Sequence, residues 1–559
     1  MAAAPDVSEY SVCGTVMLKP ENKRPRRGAM RMGRMAAAAA AATIVHSVAA
    51  HAQLAPHLGA PVQLGDLRQA FERAYGPVIV PIDARSWTVT PAIDIDVIAT
   101  DNSQALVVGG GGRRGSEVMT SITPSIYIQG SSQRLTGAFG YAPTLRTFAR
   151  DSRQNTVAHN LNANGRATIF EDLLFFNASA NMNEFSRFGG VGPGGAGNLA
   201  RQDRIQSSGF SFGPQLRQAF ADYGVLDVSH NIGYLNQTGQ AARVNTPFAP
   251  ALNTGSTITN TTQASFTSGQ EFGRFNFSLA TTRVLYNGKG VLKNAHRNSE
   301  TLDLGYAVTR EVTILGMVGH QDLRYGGLRP IRINDFIWDV GVRWTPSPDT
   351  SMTLRYGRRD GGDSFNFQGT TAPTARTRIS ASYSEAMSSL ADELQYALTR
   401  GQVISPGIVI DPATGMPIQV NNDFAGAQGG LSRVKRVSVS GVLTQDIDVY
   451  TVSFNRDERR TLSAETAGAP PGITWMTASL GWQRELGPGL RGNAQASYSD
   501  RSSAGFGNQE LISLSAGLNW SLSDTLSTRA SYTYTRSSSN RAGFGYDANL
   551  VSLGLRKSF

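Results

Sequence analysis

Cysteine is almost missing from this chain. Its 559 residues include one, Cys13, so a disulfide framework and a thiolate metal site are both excluded. Long apolar runs are missing too. Past the N-terminal region no stretch approaches the roughly 20 apolar residues of a membrane-spanning helix. Catalytic signatures are absent: there is no G-x-S-x-G, no H-E-x-x-H and no calcium-loop spacing. Histidines number seven. His159, His230 and His320 fall on separate strand-like stretches, without an acid at useful spacing. A hydrolase site gathered from distant strands is therefore the weakest functional reading, and the chain reads as a non-enzyme without a cofactor or metal. Basic blocks with interleaved aromatics, the footprint of nucleic-acid binding, do not occur either.

The N-terminal region is the exception to the lack of apolar runs. Arg24, Arg26, Arg27, Arg31 and Arg34 form a basic flank, residues 36–50 a soft apolar run, and Ala50-His51-Ala52 a small-x-small cleavage site. Residues 1–52 read as a leader with a secretory signal peptide. Met30, Met32 and Met35 lie inside it and offer later starts. Cys13, His46 and His51 leave with it. So do seven basic and three acidic residues, which take +4 of the formal +10 and leave +6. Residues 53–85 are too few for a folded domain. They predict one short periplasmic helix: Asp66 as N-cap with Gln69 three residues on, Leu67, Phe71 and Ala74 on one face, and Gly76 as terminator.

What the chain has instead is alternation. From Trp87 onward apolar and polar residues trade places with period two, the mark of strands with one apolar face. Val89, Ile93, Ile95 and Val97 alternate with Thr88, Thr90, Asp94 and Asp96. Trp338, Val340, Val342 and Trp344 alternate with Asp339, Gly341 and Arg343. Leu514, Ala516, Leu518 and Trp520 alternate with Ser515, Gly517 and Asn519. In the final stretch Val551, Leu553, Leu555 and Phe559 share one parity. A last strand closing on an aromatic is how outer-membrane barrels end, and Phe559 is expected to act as the C-terminal assembly signal read by the barrel-assembly machinery.

Connection lengths alternate as well. Short Ser/Asp/Gly/Pro turns, such as 131–133, 170–172, 346–349, 485–489 and 523–524, trade with long polar stretches at 101–115, 186–204, 237–256, 386–431 and 459–472. Short turns on one side and long loops on the other are the outer-membrane pattern. Trp344, Trp482 and Trp520 flank short turns, where an interfacial belt belongs. Residues 86–559 are therefore expected to form one all-β domain, an antiparallel transmembrane β-barrel of about 22 strands (18–24). A soluble propeller or solenoid is the alternative. It does not explain a leader and a single layer of two-faced strands together.

The polar parity supplies the candidate site. Asp94, Asp96, Arg343, Arg355, Arg491 and Arg529 share it and are expected to face the lumen, since a charge on the lipid face costs about 2–4 kcal/mol near the midplane. Asp94 and Asp96 could hold a cation or pair with lumen arginines. The arginines could favour anionic solutes or sugar hydroxyls, or simply brace a wide lumen. The run 190–195 matches G-x-G-x-x-G. It carries Pro193 and no following helix, so it reads as a loop rather than a dinucleotide site.

Two stretches carry a family resemblance. One is Trp344-Thr345-Pro346-Ser347-Pro348-Asp349-Thr350 with residues 354–359 and 378–385. The other is 433–460, closing on Phe454-Asn455-Arg456-Asp457-Glu458-Arg459-Arg460. A third, weaker one is 87–91 with 100–102. Together they resemble the outer-membrane barrel family associated with PEP-CTERM/exosortase systems and exopolysaccharide loci. The resemblance implies a Gram-negative outer membrane, lipid as a partner, and a link to exopolysaccharide export or envelope assembly. It carries no catalytic residues. A general diffusion porin or a structural barrel is the second reading. The short segment before the first strand argues against a folded plug, and the loop 386–431 is long enough to fold inward and narrow the lumen.

Overall fold

The computed structural model describes residues 87–102, 115–186, 204–238, 256–389, 391–393, 402–405, 408–411, 416–417, 430–464, 471–503, 507–540 and 545–559. The leader, Cys13, the helix expected near Asp66 and the 190–195 run lie outside the described residues.

Alternation becomes a ring of antiparallel strands. β1 (Trp87–Thr100) pairs with β2 (Glu117–Ser131). β3 runs in two pieces, Leu135–Tyr141 and Thr144–Phe148, and so does β4, Thr156–Ala158 and Leu161–Phe170. β5 (Leu174–Ser186), β6 (Arg204–Phe220), β7 (Gly224–Thr238) and β8 (Ser256–Ser268) follow, then β9 (Phe275–Asn287), β10 (Ala295–Ala307), β11 (Val312–Tyr325) and β12 (Ile331–Ser347). Next come β13 (Thr350–Arg359), β14 (Gly362–Thr374), β15 (Thr377–Ser389), β16 (Leu431–Gln445) and β17 (Asp448–Ser463). The last are β18 (Gly472–Gly487), β19 (Leu490–Ser503), β20 (Gly507–Ser523), β21 (Leu526–Ser539) and β22 (Tyr546–Ser558). The sheet holds 24 segments, and joining the halves of β3 and of β4 gives 22 strands.

Each strand pairs with its sequence neighbours, and β22 returns to β1 with Ala92 opposite Ser558 and Thr100 opposite Leu550. The Phe559 N–H donates to the Pro91 carbonyl at 2.9 Å. Closure pairs the first strand with the last, so the ring has no terminal edge strand. Connections at one end are two to six residues long, and the long ones lie at the other. Strands run longer than expected from sequence at two places. β15 continues to Ser389 and β17 to Ser463, so the loops after them begin later than residues 386 and 459. His159 is not on a strand. It occupies the break between the halves of β4.

The two parities have different surroundings. Leu553 is 60% exposed and Val340 57%, on the apolar face that in a bilayer meets lipid, whereas Asp94 on the polar face of β1 is 7% exposed. The inner face is not polar throughout, which departs from the sequence expectation. Over β9, β11 and β12 its loop-end half is apolar: Val284, Tyr286, Leu323 and Tyr325 are buried, with Ile331 and Ile333 packed against them.

Candidate functional site: the barrel interior

Three features of the inner face are built by register. The first lies at the closing seam. Gly554 of β22 stands opposite Asp96 of β1 on one side and Arg529 of β21 on the other. Having no side chain, it lets Arg529 reach over β22. Arg529 donates through Nε and Nη2 to the Asp96 oxygens at 2.9 and 2.6 Å, and through Nη1 to Asp94 at 3.1 Å. Arg556 donates to the other Asp94 oxygen at 3.0 Å. A Cβ on Gly554 would sit 2.2 Å from Asp96 Oδ1. Both acids expected in the lumen are thus saturated by arginine rather than open to a cation.

The other expected residues lie apart. Arg355 on β13 donates to Asp339 on β12 at 2.8 Å and to Asp303 on β10 at 3.1 Å. Arg343 stands between Thr313 and Thr353 in register. Arg491 stands opposite Glu485 and Asn519, next to the turn end. The structure therefore brings Asp94, Asp96 and Arg529 together, puts Arg355 in a second cluster with Arg343 as its diagonal neighbour on β12, and leaves Arg491 apart from both.

The second feature narrows the mouth. Asp360-Gly361 is a two-residue turn with φ of 55° and 72° at its two positions, the geometry that Asp-Gly favours in tight hairpins. It ends β13 early: β12 pairs with β13 only from Trp338 onward, so Ile331–Ile337 has no strand on that side. The β14–β15 ladder stops at Phe367 opposite Tyr383, although β15 runs on to Ser389, paired with β16 alone. Freed from the wall, this end of the β15–β16 hairpin turns inward. Ala386, Met387, Ser388 and Ser389 are all buried, on both parities.

Side chains replace the missing rungs. Met387 N–H donates to Asp360 Oδ2 at 3.0 Å, and Arg297 of β10 donates to the Met387 carbonyl at 3.3 Å and to Asp360 Oδ1 at 3.0 Å. A buried peptide group without a partner would cost about 1–3 kcal/mol. Met387 and Leu431 complete the apolar cluster on β9 and β11. Ser389 and Asp392 then form a reciprocal cap: Asp392 N–H donates to Ser389 Oγ at 3.3 Å and Ser389 N–H to Asp392 Oδ2 at 3.0 Å. Tyr286 OH donates to Asp392 at 2.9 Å. Glu393 takes both Nη groups of Arg459, at 2.9 and 2.7 Å. Burial alone would raise the Glu393 carboxyl, but Arg459 and Arg436 hold it below the usual glutamate range.

A smaller version occurs at β4. His159, in the break, gives its N–H to Gln206 Oε1 at 3.1 Å and its carbonyl receives Gln206 Nε2 at 2.9 Å. Its ring Nδ1 lies 2.9 Å from the Tyr141 hydroxyl, within hydrogen-bond distance. Sequence reasoning overlooked Arg297, Asp360, Gln206 and Gly554. The Asp-Gly dipeptide and the Ser-x-x-Asp spacing at 389–392 were the available signals for the mouth.

The third feature is a polar band on β1–β7. Register puts Thr88, Gln129, Asn164, Ser179 and Ser211 in one inward row, and Ser131, Thr136, Arg166 and Asn177 in the next. Between them is a cavity of about 520 Å³, within the usual size of small-molecule sites. Among the described residues that line it none is acidic or aromatic, and Arg166 is the charged one.

Residues 446–559, from the turn before β17 through β22, match the family described as "Putative beta-barrel porin 2". The FrpB iron transporter of Neisseria meningitidis, apoprotein form, superposes with a TM-score of 0.50 at 10% identity over 86% of this chain and 82% of that one. The ferric-catecholate import receptor Fiu of E. coli K12, open form, gives 0.45 at 10% identity over 86% and 83%. At such identity the FrpB likeness speaks for the fold alone, a closed antiparallel barrel of the outer-membrane kind. No curated protein sequence matches.

Proposed function

We propose that this protein is an outer-membrane, porin-like conduit for large hydroxyl-bearing solutes, serving exopolysaccharide export or envelope assembly. One observation carries the reading: the inner face of β1–β7 carries hydroxyls and carboxamides on neighbouring strands, with Arg166 among them, around a cavity of about 520 Å³. Such groups exchange hydrogen bonds with sugar hydroxyls without binding them tightly, as a pathway requires. The inward hairpin on the opposite arc, β9–β17, narrows the mouth rather than the band. The apolar outer parity supports lipid as the surrounding partner. The sequence resemblance supports exopolysaccharide as the solute.

The test is single-channel conductance of refolded protein in planar bilayers, with and without the host's own exopolysaccharide. A large conductance blocked by that polymer is the expected result. Conductance indifferent to it would favour a general diffusion porin. Silence in the membrane would leave a structural barrel and overturn the conduit.

A further inference from the structure

The cavity on β1–β7 is more selective than a generic polar lining. Its lining includes four side-chain carboxamides and five hydroxyls, against one charge. That charge is held in place. The Arg166 guanidinium carbon lies over the Phe175 ring, 3.9 Å from its centroid, a cation–π contact that holds the group against β5 without using any of its N–H donors. Among the described residues Arg166 makes no ion pair. Asp227 on β7 acts on it through space rather than by contact, as does Arg217, and accepts a hydrogen bond from Gln215 at 2.7 Å. Gln215 in turn accepts from the Asn177 amino group at 3.0 Å, which leaves the Asn177 oxygen as an acceptor. Asn164 has the opposite polarity. Its oxygen accepts from the Ala138 N–H at 3.2 Å, which leaves its amino group as a donor.

A cation with a forked donor edge, a free acceptor and a free donor therefore share one wall. Arg166 and Asn177 face each other in register, and Asn164 lies on the same strand two residues from Arg166. We infer that this cavity is a binding subsite for a short oligosaccharide carrying a carboxylate, with the uronate on Arg166 and ring hydroxyls on Asn164 and Asn177. Arginine matches a carboxylate through two parallel N–H···O bonds. Neutral sugars would lack that contact. The site deepens the conduit reading and rests on it.

The experiment is calorimetric titration of the full refolded chain in detergent micelles with oligogalacturonate, beside a neutral malto-oligosaccharide of equal length. Oligogalacturonate is expected to bind at least tenfold more tightly, and to weaken as salt is raised. Arg166→Gln is expected to remove that advantage and leave the neutral sugar unchanged. Arg166→Lys, which keeps charge but not the fork, should fall between. Ser179→Phe, which fills the cavity, should abolish both. Heat-modifiable migration on gels verifies that each variant is folded. Equal binding of the two sugars, or an Arg166→Gln protein that still prefers the uronate, would overturn the site. Binding needs no conductance, so a silent but uronate-binding barrel would sink the conduit and keep the site. An open channel that binds neither sugar would do the reverse.

Discussion

Arg297 on β10 and Asp360 in the β13–β14 turn pair at 3.0 Å, and between them they hold both backbone groups of Met387. Two side chains thus do the work of a strand edge. Their ring positions are three strands apart, and they meet because one hairpin is short and the next bends inward.

Removing Asp360 should release the bent hairpin. Asp360→Ala leaves Arg297 buried without its acid and the Met387 N–H without an acceptor, a loss of about 3–5 kcal/mol for a broken buried pair. Hydrogen exchange followed by mass spectrometry should speed up across residues 384–393, while β18–β22 keep their protection. Unchanged exchange there would mean that the apolar cluster alone holds the hairpin.

Gly554 tests the closing seam. Gly554→Val places a side chain where Asp96 and Arg529 meet, with the nearest oxygen 2.2 Å from the new Cβ. Overpacking of this kind costs about 1–3 kcal/mol. The variant should unfold at lower temperature on semi-native gels. Gly487→Ala, where a Cβ meets nothing within 4 Å, should behave as the parent does. Equal shifts for both would sever the argument from the ion pair.

Acid should loosen the mouth before it loosens the barrel. The Glu393 pKa is depressed in the folded state. Its contribution is therefore complete above the ordinary glutamate value of about 4.3 and is lost as pH falls through the lower folded value. Exchange at residues 389–393 should rise in that acid window. Glu393→Gln should show weaker protection at neutral pH and lose this pH dependence. A Gln variant with the parent's acid profile would assign the effect to another group.

The two parities can be told apart by one charge. Leu553 lies on the exposed apolar face and Ser552 on the opposite one. Leu553→Arg should cost about 2–4 kcal/mol if it sits near the bilayer midplane, and Ser552→Arg much less. Unfolding titrations in lipid vesicles measure both. Similar costs for the pair would refute the assignment of faces.

Much of the fold was legible in the sequence because strand side chains have an exact period of two. That period assigns a face to each residue without knowledge of its neighbours. It placed Asp94, Asp96, Arg355 and Arg529 on the polar parity, and with turn spacing it led to a count of about 22. The site was less legible, because parity says nothing of height. Arg529 meets Asp96 across 433 positions in sequence, and only register along β21, β22 and β1 brings them level with Gly554 between. Arg491 shares their parity and lies beside a turn.

The mouth shows the same division. The long stretch after residue 386 indicated that something could fold inward. It did not indicate that β15 itself would leave the wall, or that Met387 would be received by Asp360 and Arg297. Alternation and turn chemistry are local, and by themselves they determined a closed sheet with one apolar and one polar face. Which inward charges meet, where the ladder parts and which arc of the wall receives the inward hairpin depend on strand register and hairpin length around a closed ring. Those are set by all 22 strands together, so only the tertiary structure decided them.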